Sequence, residues 1–519
     1  MQGNMAKAFK NRASKQHYTS EVQLSLPGFE TPFTQHLNPK NRWVVLAHKI
    51  PWDKLVSVYQ NQMQNSKTGA EGINPRVAIG SIIIKHICDL SDRETVLQIQ
   101  ENMYMQYFIG FSSFSDEEPF DPSLFVEFRK RLGAEQINEI NERILGLANE
   151  LQEQNEDEVA GREESSQKET ENKVAPANAG KLIVDATACP QDIRYPTDLD
   201  LLNDAREKSE ELIDHLFCPS KHLAKPRTYR EIARKVYLKI AQKKSKSKKE
   251  IRTAIKRQLN YLRRNLNNIH KLLDTYSFIP FDRHQYKYLL VIQTFYEQQR
   301  EMFVGKKHQV DHRIVSIHQP HVRPIVRGKA NAKVEFGAKI EVSIANGFSF
   351  LEELSWEAYN EGTRLMDTVE RYKKRFGFYP KEVLVDKIYC TRDNRARLKA
   401  LGIILRAKPL GRPKAVVVHV SPGERNPIEG KFGQAKTAYG MNRIKARLQQ
   451  TSQSWIASIV LVLNLVKLAG QVPYYPWSLL DLFSARVLEY HFGYLVCRIE
   501  LSELSKNKLL SNYLIISLC

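Results

Sequence analysis

Lys181-Leu-Ile-Val-Asp185 and Glu382-Val-Leu-Val-Asp386 are two short apolar runs, each closed by an aspartate. Runs of this length, rich in branched residues, read as buried strands. The carboxyl end of a strand is where an open sheet presents its ligand crevice. A third acidic residue, Glu429, sits inside Arg425-Asn-Pro-Ile-Glu429-Gly-Lys-Phe-Gly-Gln-Ala-Lys436. The spacing of Arg425, Glu429 and Lys436 puts them near one face of a helix. Two carboxylates at strand ends and a third on a later helix can hold a pair of divalent metals. Two such ions about 4 Å apart can clamp the attacking and leaving oxygens of a phosphodiester.

Each residue also has a plainer reading. Asp favours turns and helix caps after strands. An Arg, a Glu and a Lys on one helix face are common on any surface. Gly430, Gly433 and Gly440 fit that plain reading poorly, because glycine weakens a helix and permits close approach of a backbone or ligand. Arg443, Lys445 and Arg447 continue the basic tract.

The whole chain matches a polyanion partner. It has 519 residues, 42% of them hydrophobic, and a formal net charge of +20. That length suggests about two to four domains. The charge favours nucleic acid, since Lys and Arg displace counterions from phosphates. Six scattered cysteines without a CxxC pair argue against a disulfide framework and fit a reducing cytoplasm. No secretory signal is read at the N-terminus. The apolar stretch from Trp455 to Leu468 is broken by Ser458, Asn464 and Lys467 and reads as a buried helix, so no membrane partner is expected.

Along the chain, residues 1–41 read as a flexible arm and 42–150 as an all-helical domain. In the latter, Pro51-Trp52 and Asn74-Pro75 start helices, and Ser91 to Glu94 forms a capping box. Residues 151–179 are an acidic polar linker. Residues 180–470 read as a mixed α/β domain with a basic helical insertion at 200–310, and 471–519 as a tail. Strands are expected at 181–185, 313–317, 337–344, 382–386 and 403–406. Helices are expected near 362–376 and 392–401.

Three stretches carry a family resemblance. They are Leu182-Ile-Val-Asp185-Ala-Thr187, then Val385-Asp386-Lys387-Ile388-Tyr389 with Thr391 to Arg395 and Leu410 to Lys414, and then Arg425 to Gly433 with Lys436, Tyr439 and Gly440. Here the chain resembles bacterial insertion-sequence transposases of the DDE class, in the "IS-five-like" group. Arg93 to Phe111 is similar to the helical domain that precedes the core in that group. The resemblance implies an RNase H-like core in which Asp185, Asp386 and Glu429 bind two Mg²⁺ ions, with Mn²⁺ also acceptable. It implies cleavage of DNA ends and attack of the freed 3′-hydroxyl on target DNA. It implies a homo-oligomeric synaptic complex in the bacterial cytoplasm, associated with the nucleoid. Arg425, Lys436, Tyr389, Arg392, Lys431 and Arg443 are the candidate DNA-binding residues. One departure stands out: where relatives often show Tyr-x2-Arg-x3-Glu-x6-Lys, the Tyr position here is Pro422. A nuclease that cuts without joining, and an inactive DNA-binding repressor, remain alternatives.

The basic insertion invites a DNA role, with Tyr229, Tyr237 and Tyr261 interleaved among its charges. A solvated helical pair with the tyrosines in its core is the competing reading. His215, Cys218 and His222 have only loosely zinc-like spacing.

Overall fold

The computed structural model describes residues 37–63, 72–146, 178–326, 334–407 and 422–470. The tail from 471, and nearly all of the expected arm and linker, lie outside the described residues.

Residues 37–146 are helical where described: α1 Arg42–Lys49, α2 Trp52–Gln60, α3 Pro75–Ile87, α4 Asp92–Glu101, α5 Met103–Phe108, α6 Leu124–Arg131 and α7 over 134–146. Local chemistry sets their starts. Asn74 caps α3 through Arg76 N–H with Pro75 in the first turn, where a missing N–H costs nothing. Ser91 caps α4 by accepting from Glu94 N–H at 3.1 Å. The Glu94 carboxylate instead accepts from Gln98 at 3.1 Å, one turn on.

The sheet is mixed and six-stranded: β1 Lys181–Pro190, β2 Arg323–Val326, β3 Val334–Ala345, β4 Phe348–Ser355, β5 Glu382–Leu384 and β6 Ile404–Arg406. The order is β2-β3-β1-β5-β6, with β4 also on β3. β1 runs antiparallel to β3 and parallel to β5, and β5 runs parallel to β6. Four helices intervene between β1 and β2: α8 Asp198–Leu216, α9 Arg230–Ala241, α10 Lys248–Leu273 and α11 Arg283–Gly305. α12 Leu365–Phe376, α13 Arg392–Ala400, α14 Asn426–Ala438 and α15 Gln449–Leu468 complete the described fold.

The structure departs from the sequence expectations in particular places. β1 does not stop at Asp185 but continues to Pro190, because β3 is long enough to pair with it throughout. The apolar run at 313–317 is not a strand; Ile314, Val315 and Ile317 are buried from an irregular segment. β3 and β4 form a hairpin that turns at Asn346-Gly347, a strong hairpin signal. Both residues have positive φ, 51° and 76°, as a type I′ turn demands.

Alternation on the strands builds the two faces. Leu182 and Val184 point to one side with Val383, Val385, Val369 and Tyr372, under α12. Ile183 points to the other with Ile344, Leu384 and Ile428 of α14. The N-terminal helices do not form a separate core. Their apolar faces join Ile340 and Val342 of β3 and the buried length of α15 in one cluster. α15 is long and apolar enough to cross a membrane, yet it is buried in this cluster from Thr451 to Val466.

Gly337 of β3 faces Pro190 across the ladder, and a Cβ there would collide with the Cys189 carbonyl oxygen. Backbone cannot rotate aside as a side chain can. Gly337→Ala is therefore expected to destabilise the protein by about 1–3 kcal/mol. A chemical-denaturation midpoint equal to that of the parent chain would refute this.

Candidate active site

The β1–β5 register pairs Ile183 with Leu384. Carried two residues on, it sets Asp185 beside Asp386. Asp185 lies within β1 because β3 holds the strand past it. Asp386 follows β5 and stands immediately before a short 3-10 turn, Lys387–Tyr389, to which its side chain makes no capping hydrogen bond. Asp185 lies two residues past Ile183 and so on the same face of the strand, the one turned to α14.

α14 is seated by Ile428, which is fully buried against Ile183, Ile344 and Leu384. That anchor places Arg425, at the helix N-cap, over the strand ends. Its guanidinium spans the two aspartates, donating to Asp185 Oδ2 at 3.1 Å and to Asp386 Oδ1 at 3.3 Å. Arg425 Nε is buried without a hydrogen-bond partner. Glu429 lies one turn further along α14 and is exposed. Gly430 and Gly433 have open space where a Cβ would stand, so α14 presents an unobstructed edge beside Glu429.

Burial pushes the Asp185 carboxyl up. The Ala186 N–H and Arg425 oppose that rise, while the charges of Glu361 and Asp386 add to it. Glu361 was not anticipated from sequence. It sits in the 3-10 turn Glu361–Thr363 and pairs with Lys339 of β3 at 2.8 Å. Only the folded sheet brings it within electrostatic reach of Asp185, and no local pattern announces it. As the side chains stand, no group of three or more His, Cys, Asp or Glu among the described residues is gathered closely enough to hold a metal. Two carboxylates converge on the cationic Arg425, and the third waits on the same helix.

The other candidates scatter. Tyr389 is fully buried, and its hydroxyl has no hydrogen-bond partner. It packs with Leu365, Val369 and Leu398 and so forms the floor beneath Asp386. Arg392 is exposed at the first turn of α13. Lys431 is half-buried, and its Nζ points to the Leu463 carbonyl at 3.4 Å. Lys436 is half-buried in the last turn of α14. Arg443 pairs with Asp192 at 3.0 Å, beyond the far end of β1. His222 meets the Cys218 backbone through Nδ1 at 3.1 Å and the distant Thr275 hydroxyl through Nε2 at 2.8 Å, so both ring nitrogens are engaged.

Two family models match the chain: a transposase domain (DUF772) over residues 32–131 and a transposase DDE domain over 383–466. A relative from Rhizobium meliloti, the uncharacterized protein ORF8 in the nfe locus, is 30% identical over 162 residues, 31% of this chain and 68% of that protein. The chain belongs to a transposase family. No solved structure matches it. The DDE domain match makes this transposase an enzyme acting on DNA. The match begins in β5 and runs to α15, so it takes in Asp386, Arg425 and Glu429. The first model covers most of the N-terminal helices, which share a core with the sheet.

Proposed function

We propose that the protein is a DNA transposase of the IS-five-like group, with an RNase H-like core, that cleaves the ends of an insertion sequence and joins the freed 3′-hydroxyl to target DNA. The observation that carries this reading is the convergence of Asp185 and Asp386, from adjacent parallel strands, on Arg425, one helical turn before Glu429. The donor set suits a hard divalent cation: carboxylate oxygens, already drawn to a positive charge. Asp185, Asp386 and Glu429 would hold Mg²⁺ or Mn²⁺, which when bound would supply Lewis-acid activation and charge neutralisation at the scissile phosphate.

The residues of the chain divide the remaining work. Arg425 offsets part of the charge of the two aspartates and is placed to take a DNA phosphate oxygen instead. Arg392 and the open glycine edge of α14 flank the same strand ends and would receive the DNA backbone. Tyr389 and Ile428 hold the loop and helix that carry the acids. Two DNA ends must be brought together for joining, so the working form would be a homo-oligomer.

The test incubates the full chain with a labelled duplex carrying the element's terminal repeat and a target plasmid, with Mg²⁺ or with EDTA. Metal-dependent cleavage together with joined product is the expected result. Cleavage without joining would replace this reading with a nuclease, and binding without cleavage with a repressor.

A further inference from the structure

The densest charge in the chain lies away from the carboxylates. Between residues 227 and 273 there are sixteen lysines and arginines against two glutamates. Most of them sit on α9 and α10, inside the four-helix insertion. The rotation of α10 is fixed by its inward side. Ala254, Leu259, Leu262, Leu266, Ile269 and Leu272 are buried. Gln258 bonds the Ala233 carbonyl at 2.9 Å, and Asn265 bonds Ser209 at 2.9 Å.

The opposite side of α10 reads Lys249, Arg252, Lys256, Asn260, Arg263, Asn267 and Lys271, at steps that track one helical face. All seven are exposed. Arg252 is held over Phe303 at 4.2 Å and donates to its carbonyl. None of Lys249, Lys256, Arg263 and Lys271 has an acidic partner among the described residues. The stripe extends about 33 Å at 1.5 Å per residue, close to the ~34 Å repeat of B-form DNA.

Two other uses of a basic helix fit less well. A membrane-surface helix needs its apolar face free to enter lipid, and the apolar face of α10 is the core of the insertion. Base stacking needs free aromatic faces, and the tyrosines are already engaged. Tyr229 is flanked by Arg227 at 4.7 Å and Arg264 at 4.5 Å. Tyr237 donates to Asp200 at 2.7 Å. What the stripe offers is positive charge and amide groups in a straight row.

We infer that the outward face of α10 is a docking rail for the phosphate backbone of duplex DNA. It would bind without reading sequence and steady the DNA whose end reaches the carboxylates. This rests on the transposase reading for the choice of duplex DNA, and on the charge row for the site. The insertion that carries the row leaves the sheet at the end of β1, the strand that carries Asp185, about 17 Å along that strand from the carboxylate.

The test uses the full chain, a fluorescent 30-base-pair duplex of arbitrary sequence, and anisotropy titrations across a salt series. The rail variant is Lys249→Gln, Lys256→Gln, Arg263→Gln and Lys271→Gln combined. Each lost phosphate contact lowers the slope of log K against log salt by about 0.9. The expected result is a slope shallower by about 3 and binding at least about tenfold weaker at 0.1 M salt. A matched variant, Lys40→Gln, Lys54→Gln, Lys373→Gln and Lys374→Gln, is expected to keep most of the affinity. A charge-preserving pair, Lys249→Arg with Lys256→Arg, is expected to bind as the parent does, which separates charge from folding. An unchanged slope in the rail variant, or an equal loss in the matched one, would overturn the rail. In either case the metal-dependent cleavage assay would still stand as a separate test of the transposase reading. Absence of any DNA binding by the parent chain would overturn both.

Discussion

Asp185→Ala, Asp386→Ala and Glu429→Ala are each expected to lower cleavage by about 10³-fold or more while leaving duplex binding nearly intact. Groups that act as one unit are not additive, so any pair of these changes should cost little more than one. The three should differ in stability. Burial holds the Asp185 carboxyl above its ordinary value, so at neutral pH the folded state bears a cost for its charge. A carboxyl raised on folding favours the folded state most when protonated, and that contribution of Asp185 falls as pH rises through its folded value. Asp185→Asn removes the charge, and Arg425 keeps Asp386 as a partner. The variant should therefore melt at or above the parent temperature while inactive. Glu429 is exposed and Asp386 about half so, and their alanine variants should melt close to the parent. Cleavage within tenfold of the parent in any alanine variant would remove that residue from the site. A large drop in melting temperature for Asp185→Asn would mean that its bond to Arg425 is structural.

How much of this was legible depends on how local the cause is. The caps at Asn74 and Ser91 are written in adjacent residues, and both hold. The burial of α15 follows from its apolar run, and that also holds. The continuation of β1 past Asp185 was illegible, because it depends on a partner strand about 150 positions away in the sequence. The turn at Asn346-Gly347 is written in two adjacent residues that favour positive φ. For the candidate site, the strand-end placement of Asp386 came from its own flanking residues, whereas the role of Ile428 in seating α14 required the sheet. Glu361 could not be found at all from sequence, since its nearness to Asp185 comes from the register of three separate elements. Tyr389 looked like a DNA contact by position, yet its burial comes from α12 and α13 closing over it.

Asp92→Ala is expected to be among the most destabilising single changes, at about 3–5 kcal/mol. Asp92 opens α4 and accepts both Arg129 guanidinium nitrogens, at 2.9 and 2.8 Å, and Lys85 Nζ at 3.0 Å. The Lys85 and Arg129 side chains are 1% and 5% exposed, so removing the carboxylate strands two cations inside the protein. Both also lie over the Trp455 ring, Lys85 Nζ at 4.6 Å and Arg129 Cζ at 5.5 Å. Through that ring the cluster ties α3, α4 and α6 to α15. His86, edge-on to Trp455 at 5.0 Å, adds no third charge, because burial drives its pKa well down. Burial alone would raise the Asp92 carboxyl, but Arg129 and Lys85 together hold it below the ordinary value. For a lowered carboxyl, the stability is fully present above the unfolded value near 3.8 and is lost as pH falls through the lower folded value. The parent chain should thus lose stability steeply in that acid window, and Asp92→Ala should lose less there, having lost most of it already. Denaturant midpoints at neutral pH and across that window measure both effects. Adding Arg129→Met to Asp92→Ala should recover a large part of the loss by removing one stranded charge. A single variant within about 1 kcal/mol of the parent would mean that water or a neighbouring carboxylate already compensates the two cations, and that α15 is held by its apolar packing rather than by the charge cluster.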